Sequence, residues 1–351
     1  MKIGVIGCGG IAPAHVQAYQ GLKNVEVVGL CDLNLDKAKN LAARFKIEKT
    51  YENYWNMFER EDLDLVDICT PVSTHAKIVC DAAEAIPAIL VEKPMALNVS
   101  ECEEMIKKVK KHGSKLCIGH NQIFSPNIQK AKAMVDSGDF KLYSFRTTLR
   151  ANFEDLKARD LAPPWNVLPQ QRGIIWEVCC HHSYLQLHFL DDIEEVYAVG
   201  RKVKYPVYDD FAVLLRTKSD RFGIIELSWI QREMEVIYEL RDLSGRRIQI
   251  LYDFFHYTLE HSQKPPFTVG LAAKNMLVDE KRLLQKWAKF GTCHLQKRNL
   301  LPTARLITSY LEAIKKDLPA PVTPEDGRKT IELLESIERS LNERKTVQIR
   351  S

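Results

Sequence analysis

Long hydrophobic runs are missing from this chain. No apolar stretch in its 351 residues approaches the length of a membrane helix, so no membrane association is expected. Charge of one sign is also missing. Fifty lysines and arginines are interleaved with 46 acids, a formal net charge of +4. Without a concentrated basic face there is little support for nucleic-acid binding, and none is expected. The nine cysteines are odd in number and show no repeated CxxC. That usage fits reduced thiols in a cytoplasm better than a disulfide framework. A secretory apolar core is not evident at the N-terminus, where Gly4, Gly7, Gly9 and Gly10 interrupt the first apolar run; a cytoplasmic location is the expectation. Repeats and low-complexity tracts are absent. What remains is an ordinary globular composition, 45% apolar and 27% charged, long enough for two domains.

Up to Gly119, short apolar runs alternate with amphipathic stretches. The runs are Ile3–Ile6, Val25–Cys31, Leu65–Cys69, Ala88–Val91 and Lys115–Ile118. Near-continuous apolar strands separated by helices predict a parallel sheet buried on both faces, hence a doubly wound α/β domain over residues 1–121. After Asn121 the pattern changes. A helix is expected over Pro126–Ser137, then strands in series from Leu142 to Leu251, with a hairpin turn at Leu243–Arg246. Residues 122–351 therefore read as an α+β domain with a large, mainly antiparallel sheet. A basic amphipathic helix is expected over Asn275–Phe290 and two closing helices over Ala304–Lys316 and Pro324–Leu341, the last capped by Thr323.

The glycine cluster has a positive reason to exist. Gly7-Cys-Gly9-Gly10-Ile11-Ala12 fits G-x-G-x-x-A between a strand and a helix. Gly7 permits a tight turn, Gly9 lets backbone approach a pyrophosphate, and Ala12 lets helix and strand pack closely. The helix N-terminus then faces the phosphates with free N–H groups. Asp32 ends the second apolar run, where an acid binds ribose hydroxyls. Its carboxylate repels a 2′-phosphate and favours NAD; Lys37 keeps NADP open.

Two further stretches, Asp67-Ile-Cys-Thr-Pro-Val-Ser-Thr-His75 and Glu92-Lys-Pro94, follow the third and fourth runs. With the glycine motif, Gly119-His-Asn121 and Pro321-Val-Thr-Pro-Glu-Asp-Gly327, they make the chain resemble the Gfo/Idh/MocA oxidoreductases over most of its length. The resemblance implies a Rossmann domain joined to an α/β domain with an open sheet that often forms the oligomer interface. It also implies NAD- or NADP-dependent oxidation or reduction of sugars, inositols and sugar nucleotides. A homo-oligomer, dimer or tetramer, is therefore expected through the C-terminal sheet.

By the same resemblance, Lys93 of the Glu-Lys-Pro motif and an acid-x-x-x-His pair, Glu177 and His181, surround the nicotinamide and substrate. Removing a hydride from an alcohol also requires the hydroxyl proton to leave, so an acid/base group belongs there. Burial and the positive nicotinamide are expected to lower the pKa of Lys93, which either exchanges a proton or stays charged and holds a hydroxyl. Spacing of four on a helix would let Glu177 orient His181, as general base or hydroxyl-binding group. The chain departs from the family pattern in having Glu177 for aspartate, Cys179 for glycine, and Arg172-Gly173 for a glycine pair. Thr70, Pro71, His75 and Glu92 match cofactor-contacting positions, and Asn121 a position near nicotinamide and substrate. Trp165 lies in a loop that would border a sugar.

Cys179, Cys180, His181, His182 and His188 do not have usual zinc spacing, so no metal is expected. The leading expectation is an NAD(P)-dependent dehydrogenase or reductase acting on CH–OH of a small polyhydroxylated molecule. Alternatives are an imine or non-sugar carbonyl reductase, or a non-catalytic NAD(P)-sensing regulator. The basic segment Lys274–Arg298 fits a solvated helix face, a phosphate-bearing substrate or a subunit contact.

Overall fold

A computed structural model describes residues 1–158, 164–169, 172–251, 256–260 and 301–349. They form two compact units. The first draws on Met1–Phe124, Trp176–Leu185 and Leu300–Ser336, the second on Ser125–Ile175, Gln186–Asn299 and Ile337–Ser351.

The first unit is built on six parallel strands: β1 (Lys2–Ile6), β2 (Glu26–Cys31), β3 (Thr50–Tyr51), β4 (Leu65–Ile68), β5 (Ala88–Val91) and β6 (Lys115–Ile118). Their order is β3-β2-β1-β4-β5-β6. The interleaved helices are α1 (Ala12–Gln20), α2 (Leu35–Phe45), α3 (Tyr54–Arg60), α4 (His75–Ala82) and α5 (Val99–His112). The strand interiors are almost wholly apolar and buried, as a sheet covered on both faces requires. The helices start on side-chain caps where the sequence supplies them. Asn34, Asn53 and Asn98 accept N–H groups of α2, α3 and α5, and Glu101 reaches back to the Leu97 N–H. Helix α1 has no side-chain cap. Strand order reverses between β1 and β4, which is where a doubly wound sheet opens its ligand crevice. The helices Leu301–Lys315 and Pro324–Glu343 close the chain. Thr323 caps the second of these, and Asp326 returns the bond.

The second unit holds an eight-stranded sheet ordered β13-β12-β11-β7-β10-β9-β8-β14. The strands are β7 (Leu142–Asn152), β8 (Ile193–Arg201), β9 (Asp210–Thr217), β10 (Phe222–Ser228), β11 (Ile230–Asp242), β12 (Arg247–Leu251), β13 (His256–Glu260) and β14 (Val347–Gln348). Among the described strands only β7 and β10 pair in parallel; the other pairs are antiparallel, as the serial strand signals predict. The hairpin at Leu243–Arg246 is present, with Gly245 at φ +84° and Asp242 accepting the Arg246 N–H. Strand β3 and helix α3 have no counterpart in the sequence reading. The helix expected over Asn275–Phe290, and the basic segment around it, lie outside the described residues. The eight described cysteines are free thiols. No helix among the described residues is long and apolar enough to cross a membrane.

Candidate active site

The glycine loop leaves β1 at the point where the crevice opens. Gly7 has φ +92°, and a Cβ there would sit 2.7 Å from the Cys69 carbonyl carbon and oxygen. Only glycine fits, on both counts. Gly9 and Gly10 differ: a Cβ at either would meet nothing within 4 Å. Protein packing therefore does not demand glycine at these two positions, but a ligand lying against the backbone would. Beside them α1 begins at Ala12, with Ile11 in the cap position and no side chain occupying its first-turn N–H groups. Asp32, at the end of β2, accepts the Cys8 N–H at 2.8 Å through Oδ2 and the Asn34 N–H at 2.8 Å through Oδ1. The acid is thus fixed against the glycine loop. Open backbone, uncapped helix and oriented acid together fit the pyrophosphate and ribose of a dinucleotide.

Two loops flank the crevice. After β4, the Thr70 hydroxyl accepts that of Thr74 at 2.8 Å, and Pro71 is exposed. His75 is buried, and its ring nitrogens lie 2.8 Å from the Thr70 and Pro94 carbonyls. It braces the loop after β4 against the Lys-Pro turn, and burial lowers its pKa. After β5 comes Glu92-Lys93-Pro94, with a cis Lys93–Pro94 peptide. Gly119, after β6, presses against this turn: a Cβ there would lie 3.1 Å from the Glu92 Cα.

Lys93 is the centre of the polar constellation. Its Nζ donates to the Glu177 carboxylate and to the Glu177 carbonyl, each at 3.1 Å. Burial opposes its charge, but the carboxylates of Glu177 and Glu92 outweigh burial and raise its pKa above the ordinary lysine value. This differs from the depressed amine expected from sequence, because the chain supplies two acids to the ammonium.

Glu177 and His181 are not paired in the expected way. The first helical segment, Gly173–Glu177, ends at Glu177, and a second, Cys179–Phe189, begins after a turn at Val178. The continuous helix that a spacing of four presupposes is broken between them. Glu177 turns to Lys93, while His181 finds its partner three residues on, in Tyr184. The upstream departure is also visible. Arg172 takes φ +57°, a conformation that favours glycine, and its guanidinium pairs with Glu338.

Tyr184 was not singled out by the sequence, yet it organises this side of the site. Its Oη lies 2.8 Å from His181 Nδ1, accepts the Gln122 N–H at 3.1 Å, and donates to Asn121 Oδ1 at 3.5 Å. Asn121 Nδ2 donates in turn to the Thr303 hydroxyl at 3.0 Å. The tyrosine ring stacks on His120 with centroids 4.2 Å apart. If His181 Nδ1–H donates to Oη, every link of this chain is satisfied and Nε2 keeps its lone pair. Burial drives the His181 pKa well below 6.5, and the Lys93 charge pushes it further in the same direction. Both effects favour the neutral imidazole. Trp165 falls in a 3₁₀ turn of the second unit, Pro164–Val167; its side chain lies outside the described residues.

Beneath the site is a second cluster that the sequence reading missed, formed by His15, Tyr19, Asp67 and Glu92. An aspartate inside the apolar run Leu65–Ile68 was the available signal, because a buried carboxylate requires partners.

Residues 1–120 match the oxidoreductase family with an NAD-binding Rossmann fold, and residues 128–251 match the Gfo/Idh/MocA C-terminal domain. The chain belongs to the Gfo/Idh/MocA oxidoreductase family. It is thus an NAD-binding oxidoreductase. Myo-inositol 2-dehydrogenase of Thermotoga maritima is 25% identical, over 99% of this chain and 98% of that one. D-apiose dehydrogenase of Paraburkholderia graminis is also 25% identical, over 68% of this chain and 63% of the relative. Among solved structures, scyllo-inositol dehydrogenase from Lactobacillus casei with bound NAD(H) and scyllo-inositol has a TM-score of 0.77 at 16% identity. The match covers 100% of this chain and 99% of the other. This last likeness concerns the fold alone.

Proposed function

We propose that this oxidoreductase interconverts CH–OH and C=O on a small polyhydroxylated molecule, a sugar, inositol or sugar nucleotide, with NAD. The relatives named above support that substrate class. Bound nicotinamide would supply the hydride acceptor or donor. Gly7, Gly9, Gly10, Ile11, Ala12 and Asp32 hold its nucleotide portion, and Thr70, Pro71, His75, Glu92 and Asn121 shape the nicotinamide side.

One observation carries the division of labour. Two neighbouring titratable groups are pushed in opposite directions, Lys93 toward the ammonium and His181 toward the neutral imidazole. Lys93 then donates a hydrogen bond to the reacting oxygen and stabilises negative charge building on it. His181 Nε2 takes the hydroxyl proton, and its Nδ1–H is steadied by Tyr184. Glu177 acts on Lys93. Trp165 remains a candidate sugar-bordering residue.

A homo-oligomer through the second unit's sheet is supported by Tyr197, Val199 and Leu214, exposed on one face of β8 and β9. Free thiols and interleaved charge support a cytoplasmic location.

The test is nicotinamide absorbance with NAD and a panel of inositols, pentoses, hexoses and nucleotide sugars. At least one compound should turn over. Lys93→Ala should lower kcat by about 10³-fold while leaving NAD affinity within about threefold. No turnover on any member of the panel would overturn the proposal.

A further inference from the structure

We propose that His15 is a positioning residue of this active site: clamped between Asp67 and Glu92, it fixes the carboxylate that holds the Lys93 turn in place. The inference rests on the reading of Lys93 as the substrate-binding ammonium.

The geometry is closed on every side. His15 projects from α1, and Tyr19 lies one turn further along it. His15 Nδ1 lies 2.8 Å from Asp67 Oδ2, and Nε2 lies 3.0 Å from Glu92 Oε1. Tyr19 donates its hydroxyl to the same Asp67 oxygen at 2.9 Å, and Cys69 Sγ donates to Asp67 Oδ1 at 3.6 Å. The other Glu92 oxygen accepts the Lys93 backbone N–H at 3.1 Å. His15, Asp67 and Glu92 are all buried.

A neutral imidazole has one N–H, whereas here both ring nitrogens face carboxylates. The imidazolium satisfies both while leaving both carboxylates ionised. Burial works against that charge, but Asp67 outweighs burial and holds the His15 pKa well above 6.5. Glu92 responds in kind: burial would raise its pKa, and the charges on His15 and Lys93 bring it below the usual carboxylate value. Acidic and basic side chains therefore alternate from Asp67 through His15, Glu92 and Lys93 to Glu177.

The buried part of this row, from Asp67 to Glu92, is a poor way to gain stability, since apolar side chains of similar volume commonly hold elements together as well or better. It does supply direction. An apolar contact would let the Glu92 carboxylate rotate, whereas His15 points one oxygen down and leaves the other for the Lys93 N–H. Because His15 stands on the helix that opens at the glycine loop, the same ring ties α1 to the ends of β4 and β5.

The first test is nitrogen NMR of the histidine rings in the wild-type protein, with His15 assigned by ring-to-backbone correlation. At pH 8 both His15 nitrogens should show imidazolium shifts; a ring titrating near 6.5 would overturn the clamp. This measurement needs neither substrate nor variant, so it stands apart from failure of the polyol reading. The second test uses whichever substrate the panel identifies. His15→Gln should lower kcat at least about tenfold with NAD affinity within about threefold. In a Lys93→Ala background the same substitution should have no further effect, because the network acts through Lys93. Wild-type kcat in His15→Gln, or an equal further loss in the Lys93→Ala background, would overturn the proposal. If His15→Gln does not fold, Tyr19→Phe removes one hydroxyl and should still lower kcat about threefold; an unchanged kcat would count against the network.

Discussion

Two alanine substitutions two residues apart should fail in opposite ways. At Gly7 the backbone has φ +92°, and the added Cβ would meet the Cys69 carbonyl group at 2.7 Å and the Thr70 nitrogen at 2.8 Å. Left-handed backbone costs a residue with a Cβ about 1–2 kcal/mol. Forcing a methyl group into packed backbone adds roughly 1–3 kcal/mol, because no flexible side chain can swing aside. Gly7→Ala should therefore lose about 2–5 kcal/mol, a fall in Tm on the order of 5–15 °C for a unit of this size. Gly9 has neither constraint: its Cβ would enter open space. Gly9→Ala should melt within about 2 °C of wild type, as an unstrained surface substitution does. It should nonetheless weaken NAD binding by at least about tenfold, since the methyl group would occupy the space through which a pyrophosphate reaches the loop backbone. Calorimetric melting and an NAD titration on the two variants measure both quantities. Wild-type NAD affinity in Gly9→Ala would refute the reasoning about the open cradle, and a wild-type Tm in Gly7→Ala would refute the reasoning about the turn.

Glu177→Gln removes the largest influence raising the Lys93 pKa, so the alkaline limit of activity should move to lower pH, and a pH–rate profile with an unmoved limit would contradict the pairing. Glu177 is 43% exposed, so water screens the pair and its loss should cost at most about 1 kcal/mol of stability near neutrality. Stability against urea should peak near pH 6.5. Below that value the buried imidazoles of His120 and His182, both pushed down to about 3, stay neutral in the fold but protonate in the unfolded chain. Each removes about 1.4 kcal/mol per pH unit as pH falls toward 3. Above 6.5 the sign reverses for His15, whose raised pKa keeps a proton in the fold that the unfolded chain has lost. A flat profile between pH 6.5 and 5 would contradict the acid side of this prediction.

The Rossmann sheet was legible because each of its longer strands is a short apolar run ending in a chemically marked residue: Gly7, Asp32, Thr70, Glu92 and Gly119. Strand β3 was not, since a two-residue pairing leaves no periodicity, and α3 is only seven residues long. The family resemblance points to Lys93 and His181, but it does not give the hydrogen-bond partner that each takes. The spacing argument assumed unbroken helix from 177 to 181. With the turn at Val178, His181 and Tyr184 become the neighbours that helical geometry brings together, three apart in one helix. The His15 cluster is dispersed over α1, β4 and the end of β5, so no local window contains it. Its sequence trace is a histidine and an aspartate among apolar residues, which signals that partners exist without saying which.

Glu177, at the end of the Gly173–Glu177 segment, organises much of this arrangement. Its carboxylate and its backbone carbonyl both accept the Lys93 ammonium, each at 3.1 Å. With Glu177 committed to Lys93, no carboxylate among the described residues pairs with His181, and burial lowers its pKa. Its orientation comes instead from the Tyr184 hydroxyl, which adds no charge. The same choice that keeps the lysine protonated thus keeps the histidine unprotonated. The chain's own residues thus favour the cation at Lys93 and the neutral base at His181.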